Sequence, residues 1–476
     1  MKKMMYDSLR LALVLVAMTA GLASCGKDEV TGRVNLATDL LVIDEPGDTR
    51  TVNFTTSHVR SLSVSTTPEG WKAEADLAAG VLTVTAPARI DETVKRSGSV
   101  VLSGTTTDGG AVSASLAVGV YESVDLSAAP SNCYLLSKKD TYYRIDALHR
   151  GETSETLPTA SVKLIWQTAG KPLQYVALHD GKISFLVGAD DDGELKEGNA
   201  LLGAYDAAGE LIWSWHVWVT AYDPEKDATV YGDYTVMNRN LGALNNANAS
   251  AAEILSSYGM YYQWGRKEPF AGPSTYNAAQ GTNAVLYDAA GSRLYLTETK
   301  SSAETGTAEY ALRNPLCFIL GTEESEFDWL YAAHDANRWS DRKTVNDPCP
   351  RGWKVPSADR FANLSIADKS GDADVLAERY GWELTDGTAS SLWMGLGRRT
   401  YLTGRVQNIY DPLPVRNSAM EAQPWEGLYW TTGTQADKAS AFYFFFNKRD
   451  VASSGVQTGV PHYRANGMQI RCVKAE

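Results

Sequence analysis

Short runs in which apolar and polar residues alternate dominate the chain from residue 35 to residue 122. Thr51–Thr55, Val81–Thr85 and Val112–Val118 each place apolar side chains at every second position, and turn residues such as Asp108–Gly110 separate the runs. A strand with this pattern buries one face and exposes the other. Successive short strands of this kind are typical of an antiparallel β-sandwich. We therefore predict a first β-sandwich module over 35–122.

A second strand-rich block spans residues 128–222 and closes with the tryptophan-rich segment Leu211–Val219. Alternation places Trp213 and Trp215 on one face of that strand and His216 and Trp218 on the other. Because indoles occupy both faces, we predict a central strand that is covered on both sides, within a second β-sandwich module. The alternative is a sugar-stacking platform formed by Trp218 and His216.

Residues 1–24 have the organisation of an export signal. Lys2 and Lys3 precede the apolar run Leu11–Leu22, which is much shorter than the roughly 20 residues of a membrane-spanning helix. The run ends in Leu-Ala-Ser-Cys at Cys25, which resembles the lipobox of bacterial lipoproteins. The resemblance implies cleavage before Cys25 and lipidation of its thiol, and two or three acyl chains suffice for stable anchoring. The alternative is an ordinary signal peptide with a chance cysteine.

Residues 25–34 form a short tether in this interpretation. Gly26–Glu29 carries mainly acidic charge directly after Cys25 and resembles the surface-export signal of Bacteroidetes lipoproteins. The resemblance implies a protein that is anchored in the outer membrane through its N-terminal lipid and exposed at the cell surface. A solvated linker that faces the periplasm is the alternative.

Charge and residue spacing argue against several function classes. The chain has 44 Lys+Arg and 57 Asp+Glu, and a net charge of −13 does not suit a nucleic-acid partner. The 6 histidines are scattered and no cysteines have Cys-x-x-Cys spacing, so no metal site is predicted. Asp190–Gly193 lacks two ligands of an EF-hand loop and is predicted to be a hairpin turn. We predict no cofactor, no catalytic residues and no enzymatic activity; His334-Asp335 is interpreted as a solvated pair.

The region 229–476 has a different character, with short strands, long loops and many aromatic residues. Asp347–Ser357 reads Asp-Pro-Cys-Pro-Arg-Gly-Trp-Lys-Val-Pro-Ser, and Arg471–Val473 reads Arg-Cys-Val. Together with Gly259–Phe270 and Gly427–Thr432, these segments resemble the Fibrobacter succinogenes major paralogous domain of Bacteroidetes and Fibrobacter lipoproteins.

That resemblance implies an α+β domain similar to the C-type-lectin-like fold, in which the N- and C-terminal strands lie together. It also implies that Cys349 and Cys472, at the family's two recurring cysteine positions, form a disulfide, while Cys133 and Cys317 are expected to be buried thiols. The first module is similar to the immunoglobulin-like and BACON modules of such lipoproteins, which implies a core position for Trp71. The fold class predicted for the whole chain is mainly β with an α+β C-terminal domain.

Within this domain, Tyr429–Trp430, Ala441–Phe446 and Met468–Val473 are predicted to be adjacent antiparallel strands. Helices are predicted around 251–257 and 358–365. The calcium ligands of true C-type lectins are missing from the sequence, so calcium-dependent sugar binding is not predicted. Trp264, Trp353 and Trp430 are predicted to lie in the core.

Aromatic side chains in or beside loops, with Arg266, Lys267 and Arg338 nearby, suit recognition of carbohydrate or peptide. The candidate ligand-binding residues are Trp425, Tyr429, Tyr262, Arg266 and Trp339; the alternative is that most of them belong to the core. We predict a non-catalytic binding or adhesion lipoprotein for a glycan or a host or cell-surface protein, with the two β-sandwiches as spacers. A structural subunit of the cell envelope or of a fimbria is the second possibility, and a glycan-active enzyme is the third.

Overall fold

The computed structural model describes residues 31–91, 93–276, 280–332, 334–372, 380–407, 425–447 and 450–475. The chain divides into two compact units, Met1–Gly119 and Val120–Glu476. The predicted signal peptide and the predicted lipidation site Cys25 lie outside the described residues.

The first unit contains two four-stranded sheets, as the alternating sequence pattern predicts. In spatial order, the first sheet has the strands Arg33–Leu36, Thr49–Ser57, Val81–Thr85 and Lys72–Asp76. The second sheet has Leu40–Ile43, Ala111–Val120, Ser97–Thr106 and Val59–Thr66. Alternate side chains such as Val52, Phe54, Leu82 and Val84 are buried. Trp71 is also buried, and its Nε1 donates to the carbonyl oxygen of Lys95 at 3.1 Å, so the predicted core position of this residue is confirmed.

Residues 120–222 contribute most of a second pair of sheets. One sheet has the strands Cys133–Leu136, Leu211–Val219, Gly198–Tyr205, Ser161–Gln167, Leu286–Tyr287 and Arg293–Leu294, and the other has Leu173–His179, Lys182–Val187, Thr141–Asp146 and Glu122–Asp125. Leu211–Val219 lies between a parallel and an antiparallel neighbour. Trp213, Trp215 and Trp218 are buried, which confirms a strand covered on both sides.

The sheets of residues 120–222 share a hydrophobic core with the C-terminal region. Trp166 and Trp218 from the strand block belong to the same buried cluster as Trp264, Trp353 and Trp430. The six-stranded sheet also runs across the predicted boundary, because Gln167 pairs with Tyr287. Val120–Glu476 is therefore built as one packed unit, and the three tryptophans predicted for its core are confirmed there.

The C-terminal region consists of several small sheets. A four-stranded sheet has the strands Thr229–Tyr231, Tyr234–Val236, Val473–Lys474 and Trp353–Lys354, and a five-stranded sheet has Tyr262–Gln263, Gly467–Met468, Arg398–Arg399, Val406–Gln407 and Gln280–Gly281. A two-stranded sheet has Thr297–Lys300 and Cys317–Leu320. Two three-stranded sheets follow, one with Ser365–Ile366, Gly381–Thr385 and Ser390–Met394, the other with Trp425–Gln435, Lys438–Phe446 and Gly455–Tyr463. The pairing of Val236 with Val473 brings the beginning and end of this region together.

The predicted order of the last strands is wrong in one respect. Trp425–Gln435 and Lys438–Phe446 pair antiparallel as predicted, but the third strand of their sheet is Gly455–Tyr463. Met468 pairs with Tyr262. The next residue, Gln469, does lie beside Tyr429 as predicted, but in a single parallel bridge and not in an antiparallel strand pair. The reason is that Gly455–Tyr463 is only partly buried, so it lacks the strong apolar alternation that marks a core strand in sequence.

Helices are few and short among the described residues. The α-helices are Pro224–Asp227, Ala251–Ser256 and Ala308–Arg313, and the 3₁₀ turns are Ala358–Phe361 and Val451–Ser453. The helix predicted around 251–257 is therefore confirmed, whereas the one predicted at 358–365 is a single 3₁₀ turn that buries Phe361. In the described part of the chain, no helix is long and apolar enough to cross a membrane.

The loop at Asp190–Gly193 is a tight hairpin turn, as predicted: Ala189 and Leu195 pair antiparallel across it, and the backbone N–H of Asp190 donates to the carbonyl oxygen of Glu194 at 2.9 Å. The strands on either side, Lys182–Val187 and Gly198–Tyr205, belong to different sheets. The Asp190 carboxylate accepts the backbone N–H of Asp192 at 3.0 Å and of Glu194 at 2.9 Å. This local hydrogen bonding stabilises the turn.

The predicted disulfide between Cys349 and Cys472 is confirmed, and Cys133 and Cys317 are buried free thiols as expected. The buried carboxylate of Asp347 supports the loop around the disulfide. Its Oδ1 accepts from the backbone N–H of Cys349 at 2.8 Å, and its Oδ2 accepts from that of Val355 at 2.9 Å. These bonds give a physical reason for the Asp-Pro-Cys-Pro segment, because an acceptor at this position ties both ends of the loop together.

Candidate functional site

Four of the predicted ligand-binding residues are buried. Tyr262, Arg266 and Tyr429 are 0% exposed and Trp339 is 1% exposed. The Tyr429 hydroxyl donates to the carbonyl oxygen of Met394 at 2.7 Å. In this structure all four side chains hold the fold together instead of offering stacking faces to solvent, which is the alternative that the sequence left open. Sequence cannot distinguish the two roles, because a loop-rich fold fills its core from its loops.

Two further candidates have different outcomes. Trp425 begins the strand Trp425–Gln435, but its side chain lies outside the described residues, so its ligand-binding role stays a prediction. Trp218 and His216 are buried, at 0% and 2% exposed, and do not form a sugar-stacking platform.

The structure forms a pocket elsewhere, between the strand Leu211–Val219 and the helix Ala308–Arg313. It has a volume of about 300 Å³ and is lined by side chains that include Arg150, Trp213, Lys267, Glu268, Leu312 and Arg338. All of these residues belong to the Val120–Glu476 unit. A cavity in which an aromatic ring meets a few converging polar groups is the usual form of a small-ligand site. We therefore treat this pocket as the candidate functional site and call it the cationic pocket.

Cations surround Trp213 in the cationic pocket. The Lys267 ammonium lies 4.1 Å from the centre of the Trp213 ring, and the Arg150 guanidinium carbon lies 5.4 Å from it. Positive groups over an indole face are attracted by its quadrupole. The ring therefore positions the two cations in the pocket.

Lys267 and Glu268 form a buried ion pair in the wall of the pocket. The Lys267 ammonium donates to Glu268 Oε1 at 2.8 Å and to the carbonyl oxygen of Ser214 at 2.8 Å. Burial lowers the pKa of Lys267, and Glu268 opposes that shift. Burial alone would raise the pKa of Glu268, but the cations of Lys267 and Arg266 lower it, so the carboxylate is charged.

Positive charge remains in the pocket after these pairs are counted. Arg338 donates from Nε to the carbonyl oxygen of Gly265 at 2.8 Å and from one Nη to Asn346 at 3.1 Å. Its remaining N–H groups have no partner among the described residues. Arg150 forms an ion pair with Glu155 at 3.1 Å. The Nε atoms of Arg150 and Arg266 and the indole Nε1 of Trp213 lack hydrogen-bond partners within the described structure. Such donors favour an anionic ligand.

Gly265 lets Arg338 approach the pocket wall. It has a φ of +82°, and a Cβ atom at this position would lie 2.9 Å from Cβ of Arg338. A side chain here would be strained and would push Arg338 outward. The Gly265–Glu268 segment thus supplies a turn, a close backbone contact and two charged side chains to the same wall.

The sequence carried part of this signal. Arg266, Lys267 and Arg338 stand out there as cations beside aromatic residues. Arg150 and Trp213 could not be linked to them, because more than 50 residues separate each from that segment and only the packing of the six-stranded sheet brings them together.

A second cluster brings Cys133, His216 and Asn199 together but is sealed from solvent. The sulfur of Cys133 lies 3.4 Å from His216 Nδ1, and His216 Nε2 lies 2.9 Å from Asn199 Oδ1. Cysteine, histidine and an amide in series are the parts of a nucleophilic site. Here burial raises the pKa of Cys133 and lowers the pKa of His216 to about 3, so both groups are uncharged and no thiolate forms.

His334 contacts carboxylates other than the neighbouring Asp335. Its Nδ1 lies 2.9 Å from Asp328 Oδ2, and its Nε2 lies 2.6 Å from Glu326 Oε2. Asp328 is buried and also lies 3.8 Å from Arg464. The hydrogen bond with Asp328 raises the pKa of His334, partial burial opposes that shift, and Glu326 adds to it.

This arrangement predicts a pH-dependent contribution to stability. Since the folded-state pKa of His334 is raised, its stabilisation is fully present below about pH 6.5 and is lost as the pH rises through the raised pKa. His334→Gln should therefore lower the free energy of unfolding more at pH 5.5 than at pH 8.5. Urea denaturation at both pH values measures this difference, with His179→Gln, an exposed histidine, as control. Equal losses for His334→Gln at the two pH values would contradict the prediction.

No group of three or more His, Cys, Asp or Glu side chains that could hold a metal ion occurs in the described part of the chain.

No protein-family model matches the chain, and no curated protein matches it. Among solved structures, the D00-D0 domain of Intimin has 9% identity and a TM-score of 0.17, with 39% of this chain and 96% of that chain covered. The N-terminal Ig1-2 module of the Drosophila Receptor Protein Tyrosine Phosphatase DLAR has 12% identity and a TM-score of 0.15, with 39% and 98% covered.

A third similar structure is the SGBP-B protein of the Bacteroides ovatus mixed-linkage glucan utilization locus in complex with a mixed-linkage heptasaccharide. It has 15% identity and a TM-score of 0.12, with 38% of this chain and 44% of that chain covered. TM-scores at this level carry no argument about fold or function.

Proposed function

We propose that this protein is a lipid-anchored surface protein of the outer membrane, and that its Val120–Glu476 unit binds a glycan or protein ligand without transforming it. The cationic pocket is the observation that carries the binding proposal. It is preformed, and it combines an aromatic ring with charged groups that have hydrogen-bonding capacity left over. Groups of this kind give orientation and specificity to a bound ligand.

The proposed anchor rests on the segment before Cys25 and on the acidic residues after it. The resemblance to the Fibrobacter succinogenes major paralogous domain, whose members are lipoproteins, supports the same proposal. Two structural features agree with what that resemblance implies: the Cys349–Cys472 disulfide and the pairing of Val236 with Val473.

A non-catalytic role is part of the proposal. The arrangement closest to a nucleophilic site, at Cys133 and His216, is buried and uncharged. The cationic pocket instead offers fixed positive charge and a paired carboxylate, which suit holding a ligand. Glu268 lies 2.8 Å from the Lys267 ammonium, and this ion pair favours the ionised form of its carboxyl group.

Surface location is tested by proteinase K treatment of intact cells. We expect the wild-type chain to be digested without lysis and to fractionate with the outer membrane. Cys25→Ala removes the lipid attachment point, so this variant should leave the membrane fraction. Complete protection of the wild-type chain in intact cells, with digestion only after lysis, would show that it faces the periplasm.

Binding is tested with the full chain in mild detergent on an array of glycans and mucin fragments. We expect retention of at least one ligand class, and Trp425→Ala tests whether the predicted aromatic residue contributes. A matched control is Tyr295→Ala, which removes another large side chain that is 69% exposed. If the wild-type chain retains no ligand at high concentration, the binding function is wrong and the structural role in the envelope or a fimbria replaces it.

A further inference from the structure

From the cationic pocket we infer a site for a single sugar acid, a ring-sized polyhydroxy compound that carries one carboxylate. This inference rests on the proposed binding function and names the ligand class for it. It is independent of the loop aromatics from which the sequence predicted recognition.

The charge in the pocket calls for one anion. Lys267 and Glu268 neutralise each other at 2.8 Å, and Arg150 has a partner in Glu155 at 3.1 Å. Glu309 also lines the pocket, and its charge is balanced by Arg313 at 2.9 Å. Arg338 forms no ion pair within 4.0 Å among the described residues, and Arg266 lies behind the same wall, 3.7 Å from Glu268. The net charge of the whole chain is −13, so a pocket with this many positive side chains differs in sign from the protein as a whole. Unpaired guanidinium groups bind carboxylates through charge-assisted hydrogen bonds.

The available donors suit a carboxylate. Arg338 offers guanidinium N–H groups that its bonds to Gly265 and Asn346 leave unused. The buried indole Nε1 of Trp213, in a residue that is only 4% exposed, has no partner in the described structure. Arg150 adds an Nε without a partner. A carboxylate bound here would fill positions that otherwise cost free energy as unsatisfied buried donors.

The acceptor side of the pocket suits hydroxyl groups. Oε1 of Glu268 receives the Lys267 ammonium, while Oε2 lies 3.7 Å from Arg266 Nε, beyond hydrogen-bond distance. A charged carboxylate oxygen with spare capacity accepts from a sugar hydroxyl and repels a second anion. An inorganic anion such as sulfate would use only the donors. The combination therefore favours a ligand with both a carboxylate and hydroxyls.

The size of the pocket limits the ligand to about one ring. A volume of about 300 Å³ lies at the lower end for small-molecule sites. A terminal uronic or sialic acid residue of a glycan fits this description, whereas an internal stretch of polysaccharide does not.

The experiment is isothermal titration calorimetry on the full chain in mild detergent. The probes are glucuronic acid and N-acetylneuraminic acid, with glucose and N-acetylglucosamine as neutral counterparts and acetate and sulfate as simple anions. We expect the wild-type chain to bind at least one sugar acid, to bind the neutral sugars and simple anions at least about tenfold more weakly, and to lose affinity as salt is added.

Two variants test the location of the site. Arg150→Gln removes one cation from a half-buried side chain, and Ala308→Trp obstructs the pocket from an exposed position while all charges remain. Arg150→Gln should weaken sugar-acid binding about tenfold or more, since a lost charged hydrogen bond has an effect of this size. Ala308→Trp should weaken it at least as much, because the indole occupies the space of the ligand. Arg144→Gln removes a comparable cation over Tyr142, outside the pocket, and should leave affinity unchanged. Thermal denaturation of each variant confirms that it is folded.

The outcomes separate this inference from the proposed function. Sulfate or acetate binding as tightly as the sugar acids would overturn the inference, and so would unchanged affinity in Ala308→Trp. If the wild-type chain retains only neutral glycans or proteins on the array, the sugar-acid site is wrong and the binding function stands. If it retains nothing in either experiment, both are wrong.

Discussion

Replacing both Cys349 and Cys472 with alanine is expected to lower the free energy of unfolding of the Val120–Glu476 unit by about 4–5 kcal/mol. The disulfide joins residues 123 positions apart, so it restricts the unfolded chain strongly. Both cysteines are 0% exposed and lie in the same buried cluster as Trp353 and Trp430. Loss of the bond therefore also loosens the packing around the Asp347 loop.

Urea denaturation followed by tryptophan fluorescence measures this effect. Trp71 is the only one of the 13 tryptophans in the sequence that precedes residue 120, so the signal reports almost entirely on the larger unit. The matched control is Cys317→Ala, which removes a buried sulfur but no covalent bond and should cost about 1 kcal/mol. A double variant as stable as this control would show that the cross-link contributes nothing beyond packing.

Much of the fold follows from local sequence pattern. Period-two alternation predicts the strands of the first unit, because a half-buried strand must place apolar residues at every second position. The same reasoning predicts that Leu211–Val219 is covered on both faces, since each face carries at least one indole. The disulfide, in contrast, follows from family resemblance, because spacing alone does not determine which cysteines pair.

The remaining features depend on contacts that are distant in sequence. Tyr262 and Tyr429 are of a residue type that is common on binding surfaces. The packing of several small sheets nevertheless buries both side chains, which are 0% exposed. The cationic pocket is the converse case, a site that the sequence does not reveal. Arg150 and Trp213 come close to Arg338 only because residues 120–222 and the C-terminal region pack into one unit. Burial is a property of tertiary structure, so alternation within one strand predicts it well and loop composition predicts it poorly.

Arg471 shows what the terminal Arg-Cys-Val segment does besides supplying a disulfide partner. Its guanidinium is 0% exposed and its central carbon lies 4.2 Å from the Trp393 ring centre and 5.9 Å from that of Tyr429. It donates to the carbonyl oxygen of Leu392 at 2.8 Å and to side-chain oxygens of two asparagines. The residue thus connects the end of the chain to three distant segments through a planar group with several donors.

Arg471→Leu is accordingly expected to lower the free energy of unfolding by about 3–5 kcal/mol, because it leaves several buried acceptors without a donor and removes the cation that lies beside the Trp393 and Tyr429 rings. The same denaturation assay measures it. Arg144→Leu is the matched control: its guanidinium also lies over a tyrosine ring, 5.4 Å from Tyr142, but the side chain is half-buried and should contribute under about 1 kcal/mol. Equal losses in the two variants would mean that Arg471 acts only as another ring-stacked cation, and that its buried hydrogen bonds do not hold the chain end in place.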